Sequence, residues 1–235
     1  MKLLIATPTY DDRVTTQYML SILGVLNTLN VEATWTPIRS TLIHVARNVF
    51  ASQALEGGFS HLLFVDSDLE FQPSAVQRML AFDKPLVACS YPARDLDPAR
   101  FHQAAQTNAD PERALSAALE YPVRLVEPHV REGGFWQAEH APAGLMLIRR
   151  DVLTALRDRC PELHRPAADT QYRGVRDVLL CFDPVHDANG VTQGEDVSFC
   201  RRWRALGGEI WALMDEPVGH AGPWVFRGRA AVPNG

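Results

Sequence analysis

Two carboxylates two residues apart, Asp66 and Asp68, close the apolar run His61-Leu62-Leu63-Phe64-Val65, with Ser67 between them. A short apolar run bounded by polar residues reads as a buried strand, so both acids stand where the backbone leaves a sheet. Hard oxygen donors at such a place suit Mg²⁺ or Mn²⁺, which keep coordination positions open for phosphate oxygens. A solvated loop with two acids would carry the same letters; the strand directly before the pair favours the metal reading. A second acidic pair, Glu195-Asp196, follows Thr192-Gln193-Gly194. Thr192 and Glu195 have capping-box spacing, and acids in a first turn favour the helix dipole. That accounts for Glu195 and less well for Asp196. An acid at a helix start facing a cleft would take a proton from a hydroxyl nucleophile. His220, flanked by glycines in Val218-Gly219-His220-Ala221-Gly222, reads either as a structural residue or as a neutral imidazole ligand for a divalent metal. His44, Arg47 and Asn48 share one helix face, either solvated or turned to a phosphate or sugar.

These side chains need elements to position them. Residues 3–6 form an apolar run stopped by Thr7-Pro8-Thr9. Helical spacing follows over 14–29, with Met19, Ile22, Leu23 and Leu26 as the apolar face, then a strand over 31–38. Ser40 is placed to cap a helix whose face is Leu42, Val45, Ala46, Val49, Phe50 and Ala54, closed by Gly57-Gly58. After the strand at 61–65, Pro73 opens a helix burying Val76, Met79 and Leu80, and 85–89 is a fourth strand. Strands alternating with helices imply βαβ units and a parallel sheet, whose ligands bind beyond the carboxyl ends of the strands. Residues 7–10 and 66–68 both lie at such ends and so belong to one cleft.

Residues 92–140, with Pro92, Pro98, Pro111, Pro122 and Pro128, read as an excursion over the sheet with one helix at 111–119. Within it Gly133-Gly134-Phe135-Trp136 reads as a mobile lid or a tight turn. A strand at 143–148, a helix at 151–157, an irregular stretch at 160–191, a helix at 195–206 closed by Gly207-Gly208 and a strand at 209–213 complete the pattern. The tail 223–235, with Arg227 and Arg229, reads as partly disordered.

At 235 residues, 46% hydrophobic and 22% charged, the chain has ordinary globular composition and supports a single core. A net charge of −5 offers no basic stripe for nonspecific nucleic-acid binding. The cysteines, Cys89, Cys160, Cys181 and Cys200, form no CxxC pair and read as free thiols in a reducing compartment. The opening apolar run is too short for a signal peptide, and no window approaches the ~20 apolar residues of a membrane span. A soluble, cytoplasmic protein is expected. No GxxxxGK[ST] is present, which excludes a P-loop enzyme.

In order, the chain holds a strand ending in Thr7-Pro8-Thr9-Tyr10, a helix with Ala46-Arg47-Asn48, the HLLFVDSD segment, Ala143-Gly144-Leu145-Met146-Leu147-Ile148-Arg149-Arg150, Gly194-Glu195-Asp196 followed by Phe199 and Arg202, then His220. This order resembles the GT-A nucleotide-sugar glycosyltransferases, close to the family 2 pattern and to Anp1-type enzymes, over roughly residues 3–91 and 141–222. With Tyr91-Pro92 after the fourth strand, it is also similar to compact glycosyltransferases encoded by bacteriophages, whose place would be the host cytoplasm. The resemblance implies an α/β, Rossmann-like GT-A fold: a mixed, mainly parallel sheet flanked by helices in a single domain over 1–222. Residues 1–91 would be its nucleotide-sugar-binding half, 92–140 a variable excursion and 141–222 the acceptor and catalytic half.

By that resemblance Thr7, Pro8 and Tyr10 line the base and ribose pocket, with Arg47, Asn48 and Ser67 also on the nucleotide-sugar. Asp66, Asp68 and His220 hold Mn²⁺ or Mg²⁺ against the donor diphosphate. Asp196 is the base of inverting members, with Glu195 assisting acceptor contact. Gly144 and Trp136 fall on the acceptor side. Tyr10 stacking on a pyrimidine favours a UDP-sugar over a GDP-sugar. The acceptor implied is a glycan or, from the phage likeness, a hydroxymethylated DNA base. The latter would need a basic rim from Arg94, Arg100, Arg124, Arg131, Arg149, Arg150, Arg173, Arg176, Arg227 and Arg229. Two other classes compete. A HAD-type phosphatase needs Thr or Val where Glu70 stands and carries its aspartate on the first strand. A non-catalytic sugar-binding module of the same fold would be expected to have lost one of Asp66, Asp68, Glu195 and Asp196, and all are present.

Overall fold

The computed structural model describes residues 1–169 and 172–222; the tail, with Arg227 and Arg229, lies outside the described residues. The chain runs β1 (Lys2–Thr9), α1 (Thr16–Thr28), β2 (Glu32–Arg39), α2 (Ile43–Glu56), β3 (His61–Val65), β4 (Leu69–Phe71), α3 (Pro73–Phe82) and β5 (Leu86–Cys89). The excursion holds α4 (Pro98–Thr107), α5 (Pro111–Ala118), β6 (Arg124–Leu125), β7 (Arg131–Glu132) and β8 (Phe135–His140). There follow β9 (Leu145–Arg149), α6 (Arg150–Arg159), β10 (His164–Pro166), β11 (Asp177–Leu179), α7 (Glu195–Ala205), β12 (Ile210–Leu213) and β13 (Val218–His220).

A nine-stranded sheet runs β2-β1-β3-β9-β5-β12-β8-β6, with β7 beside β8. All its strands except β8 and β9 point one way. The sequence pattern implied a mainly parallel sheet; the antiparallel β9, wedged between β3 and β5, makes it mixed. The chain leaves β1 for β2 on one side and returns to β3 on the other. That reversal is the topological switch point where open α/β sheets bind ligands, and residues 7–10 and 66–68 flank it. Alternate strand residues feed two cores. Leu4, Ala6, Leu62 and Phe64 pack under α2, α6 and α7. Leu3, Ile5, Leu63 and Val65 pack under α1 and α3. No helix among the described residues is long and apolar enough to cross a membrane.

Several local readings change for physical reasons. Helix α1 buries Tyr18, Ser21, Ile22 and Val25, while Leu20, Leu23 and Leu26 stay exposed. Its polar residues face inward because they have partners. Tyr18 pairs with the Thr7 hydroxyl and accepts from Trp35 Nε1 at 3.0 Å, and Ser21 Oγ accepts from Phe71 N at 2.9 Å. Ser40 does not cap α2: its hydroxyl donates to Leu42 O, and the helix starts after Leu42. Thr192 bonds His186 rather than capping α7, whose N-cap is Gly194. The excursion contains a further helix, α4, whose N-terminus was written in Asp97-Pro98: the Asp97 carboxylate accepts from Ala99 N, with proline at the first helical position. Gly133 and Gly134 (φ +55° and +87°) form the two-residue turn of the β7–β8 hairpin, where both positions need positive φ.

The small β4–β13 ribbon pairs Leu69 with His220 and Glu70 with Gly219, which carries the end of the chain back to residues 66–68. In the core under α2 and α7, Phe64 is fully buried, edge-on to Phe50 and Phe182, and Phe182 stacks on Phe199 of α7 at 4.3 Å. Phe64→Ala is expected to cost about 3–5 kcal/mol in equilibrium denaturation; a loss below 1 kcal/mol would show that this aromatic cluster does not hold α2 and α7 on the sheet.

Candidate functional site

A cleft of ≈ 360 Å³ opens at the carboxyl ends of β1 and β3. Pro8, Thr9 and Tyr10 border one side and Asp66, Ser67 and Asp68 the floor, with His220 and Arg94 opposite. The β4–β13 register brings His220 Nε2 to 3.5 Å from Asp68 Oδ1. Nδ1 lies 2.9 Å from the Pro92 carbonyl. A carbonyl only accepts, so Nδ1 carries a proton and, in the neutral ring, Nε2 presents a lone pair. Burial pulls the His220 pKa down, but Asp68 and the Pro92 carbonyl outweigh it and hold it above the ordinary value. Burial likewise works against the Asp68 carboxylate, yet His220 and Arg94 keep its pKa below the usual range. Arg94 Nη1 donates to Asp68 Oδ2 at 2.7 Å from a half-exposed side chain.

Asp66 answers a different cation. Arg47, 2% exposed, sends Nη2 to its carboxylate at 2.9 and 3.2 Å and Nη1 to Ala143 O at 2.9 Å. Its Nε lies 3.4 Å from Glu195 Oε1, too poorly aligned for a hydrogen bond, and its guanidinium stands over the Phe64 ring at 5.0 Å. Burial lowers the Arg47 pKa, but Asp66 and Glu195 more than reverse this. Burial raises that of Asp66, against the pull of Arg47. Asn48 is equally committed. Its amide nitrogen donates to Asp183 Oδ1 at 2.6 Å and Tyr172 Oη at 3.2 Å, and its oxygen accepts from Phe182 N at 2.8 Å. Arg47 and Asn48 thus form neither a solvated face nor a phosphate grip. They are positioning residues, because a buried guanidinium or amide must be satisfied inside the protein.

Other expected residues divide. Pro8 and Tyr10 border the cleft, with Tyr10 71% exposed. Thr7 is buried one residue too deep, its hydroxyl held by Tyr18 and by Trp35 Nε1. Thr9 takes its place: it is buried against the cleft, and its hydroxyl has no partner among the described residues. Gly144 touches the site from behind. Its N–H donates to Tyr91 Oη, and its carbonyl accepts from Asp66 N at 2.7 Å. An added Cβ would collide with Tyr91 Oη and stand 2.7 Å from Asp66 Oδ2. Its small size serves Tyr91 and Asp66 rather than an incoming acceptor. Trp136 stands on β8 beside His129 and Arg131, four strands from β3, hence roughly 19 Å away. It belongs to the hairpin, not to this cleft. Asp196 is half-buried at the start of α7, accepts from Val197 N at 2.7 Å, and acts electrostatically on Arg47, Tyr91 and His140.

Among the described residues no three carboxylate, imidazole or thiolate groups surround one point. The donor set nonetheless fits a hard divalent ion. One carboxylate (Asp68), one imidazole (His220) and a second acid behind them match Mg²⁺-type sites, which take one or two carboxylates and complete their shell with phosphate and water. Arg94 holds the oxygen that such an ion would need. Among the described residues only Arg94 of the arginines expected to form a basic rim borders the cleft, and Arg227 and Arg229 lie outside the described residues. Arg100, Arg124 and Arg176 pair with Glu120, Glu139 and Glu56. Arg149 and Arg150 lie at the end of β9 opposite Gly144.

No protein-family model matches the sequence, and no curated protein matches it. Among solved structures the chain is similar to A197 from STIV, at 15% identity over 95% of this chain and 87% of that one, with a TM-score of 0.51. Mannose-1-phosphate geranyltransferase from Thermus thermophilus is more distant, at 12% identity over 93% of this chain and 76% of that one, with a TM-score of 0.47. The likeness is one of fold: a mixed, mostly parallel sheet flanked by helices, an α/β, Rossmann-like GT-A architecture.

Removing Arg47 strands the Asp66 charge, so Arg47→Ala is expected to cost about 3–5 kcal/mol, measured by urea titration. The double variant Arg47→Met with Asp66→Asn removes both charges and should recover part of that loss. Equal destabilisation by the single and double variants would show that the pair is not coupled.

Proposed function

We propose that this protein is a metal-dependent glycosyltransferase that moves a sugar from a nucleotide-sugar, a UDP-sugar by preference, to an acceptor hydroxyl. The observation that carries the reading is convergence. Segments around residues 9, 67 and 220, far apart in sequence, meet at the switch point of a transferase-type fold, with two acids and an imidazole among them. In this reading the exposed Tyr10 ring stacks on the base and the Thr9 hydroxyl bonds the nucleoside. Asp68 and His220 hold Mn²⁺ or Mg²⁺, with Asp66 adding negative charge behind them. When bound, the ion neutralises the leaving diphosphate. Arg94 gives up Asp68 and is free to meet the diphosphate.

Glu195, fixed by Arg47, contacts the acceptor. Asp196 takes the proton from the acceptor hydroxyl as its oxygen bonds the anomeric carbon and the bond to the diphosphate breaks. This assigns inversion of configuration.

Chelation, and Asp68→Ala without loss of fold, should abolish donor hydrolysis and transfer; full activity in excess chelator would remove the metal from the account. Asp196→Asn separates a base from a helix-dipole acid. As a base its loss lowers the transfer rate roughly 10²–10⁴-fold with donor binding little changed. As a dipole partner alone it costs about 0.3–1 kcal/mol of stability and leaves transfer intact. A variant within about threefold of the wild-type rate would retire Asp196 as the base.

A further inference from the structure

A second, larger cavity of ≈ 680 Å³ lies along the β4–β13 ribbon, whose Glu70, Phe71, Val218 and Gly219 all border it. Its floor is Ser90, directly after β5. Its walls are Glu70 and Gly219 of the ribbon, Met214 after β12, and Leu119 and Tyr121 from the 92–140 excursion. Ser90 is 5% exposed, and its hydroxyl has no partner among the described residues. Buried hydroxyls are normally satisfied, and this one borders open volume. Glu70 is exposed and has no cationic partner among the described residues. Asp215 and Glu216 also line the cavity, held by Arg78 at 2.8 and 2.9 Å, while no arginine, lysine or histidine is among the lining residues. Tyr121, 41% exposed, lines the cavity together with Leu119 and Met214.

From this we infer that the cavity seats a neutral, polyhydroxylated ligand: the part of a saccharide acceptor remote from its reacting hydroxyl. Carboxylates and a bare hydroxyl bond sugar hydroxyls, and an aromatic body with aliphatic neighbours covers the apolar face of a pyranose. The same lining repels a phosphodiester backbone, which requires cationic contacts. The location fits. Glu70 and Gly219 pair in the register next to Leu69 and His220, and Pro92, which borders the cavity, accepts the His220 Nδ1 proton with its carbonyl. A ligand here lies beside the ribbon whose last residue, His220, borders the proposed donor site. The identification as acceptor rests on the transferase reading; the saccharide chemistry of the cavity does not.

The test uses the full chain without metal or nucleotide. Maltotriose, cellotriose and triacetylchitotriose are titrated by saturation-transfer NMR, alongside a short DNA duplex. At least one trisaccharide should bind with a millimolar constant, and Tyr121→Ala and Ser90→Val should each weaken it about tenfold. Both variants should bind UDP with Mn²⁺ as the wild type does, which also reports that they fold. Three results would overturn the inference: no saccharide binding, saccharide binding that neither variant changes, or duplex binding that Tyr121→Ala abolishes. Because donor and metal are absent, failure of UDP-sugar turnover leaves this result standing. A protein that turns over donor but binds no saccharide refutes this inference alone.

Discussion

The Arg47 guanidinium, carried by helix α2, is only 2% exposed, so the structure around it is arranged to neutralise it. An unpaired buried cation costs several kcal/mol, and the pairing must come from elements that would otherwise drift apart. Asp66 comes from the end of β3, the Ala143 carbonyl from the approach to β9, and Glu195 from the first turn of α7. One side chain therefore fixes the carboxyl end of β3 against the start of the helix that carries Asp196. Gly144 and Tyr91 complete the arrangement, because only a residue without Cβ leaves room for the Tyr91 hydroxyl and the Asp66 carboxylate together.

The two acids of the DxD segment then do different work. Both line the cleft, but Asp66 is held by the buried Arg47 and Asp68 by His220 and the half-exposed Arg94. Asp68 is served by the β4–β13 ribbon, a two-stranded element of a few residues that returns the chain to β3 after an excursion through most of the sheet. The ribbon also borders both spaces: His220 lines the cleft with Asp68, and Glu70, Phe71, Val218 and Gly219 line the large cavity with residues of the excursion. The ends of β1 and β3 thus frame the cleft, and the 92–140 excursion supplies Leu119 and Tyr121 to the wall of the large cavity, as loops on a rigid frame commonly carry function.

Much of the frame was legible in the sequence. Strand–helix alternation placed β1, β2, β3 and β5 with α1, α2 and α3 between them, and residues 8–10 and 66–68 did meet at one cleft. What was illegible has physical causes. Apolar counting missed the buried face of α1 because Tyr18 and Ser21 face inward to satisfy hydroxyl and amide partners 11 and 50 residues away. Burial of Arg47 and Asn48 is dictated by Asp66, Tyr172 and Asp183, which periodicity along one helix does not register. The direction of β9 and the ribbon pairing depend on contacts between distant segments. Another signal was present and unread: Asp97-Pro98 announces α4.

The central claim is that the carboxyl ends of β1 and β3 form a nucleotide and metal site. A crystal structure of the protein with UDP and Mn²⁺, with data collected at the manganese absorption edge, tests it most directly. The account predicts an anomalous peak between Asp68 and His220, the uracil ring against Tyr10, and Arg94 displaced from Asp68 while Arg47 keeps its bonds to Asp66. Manganese bound elsewhere, or a nucleotide that avoids Tyr10 with the Arg94–Asp68 pair intact, would contradict it.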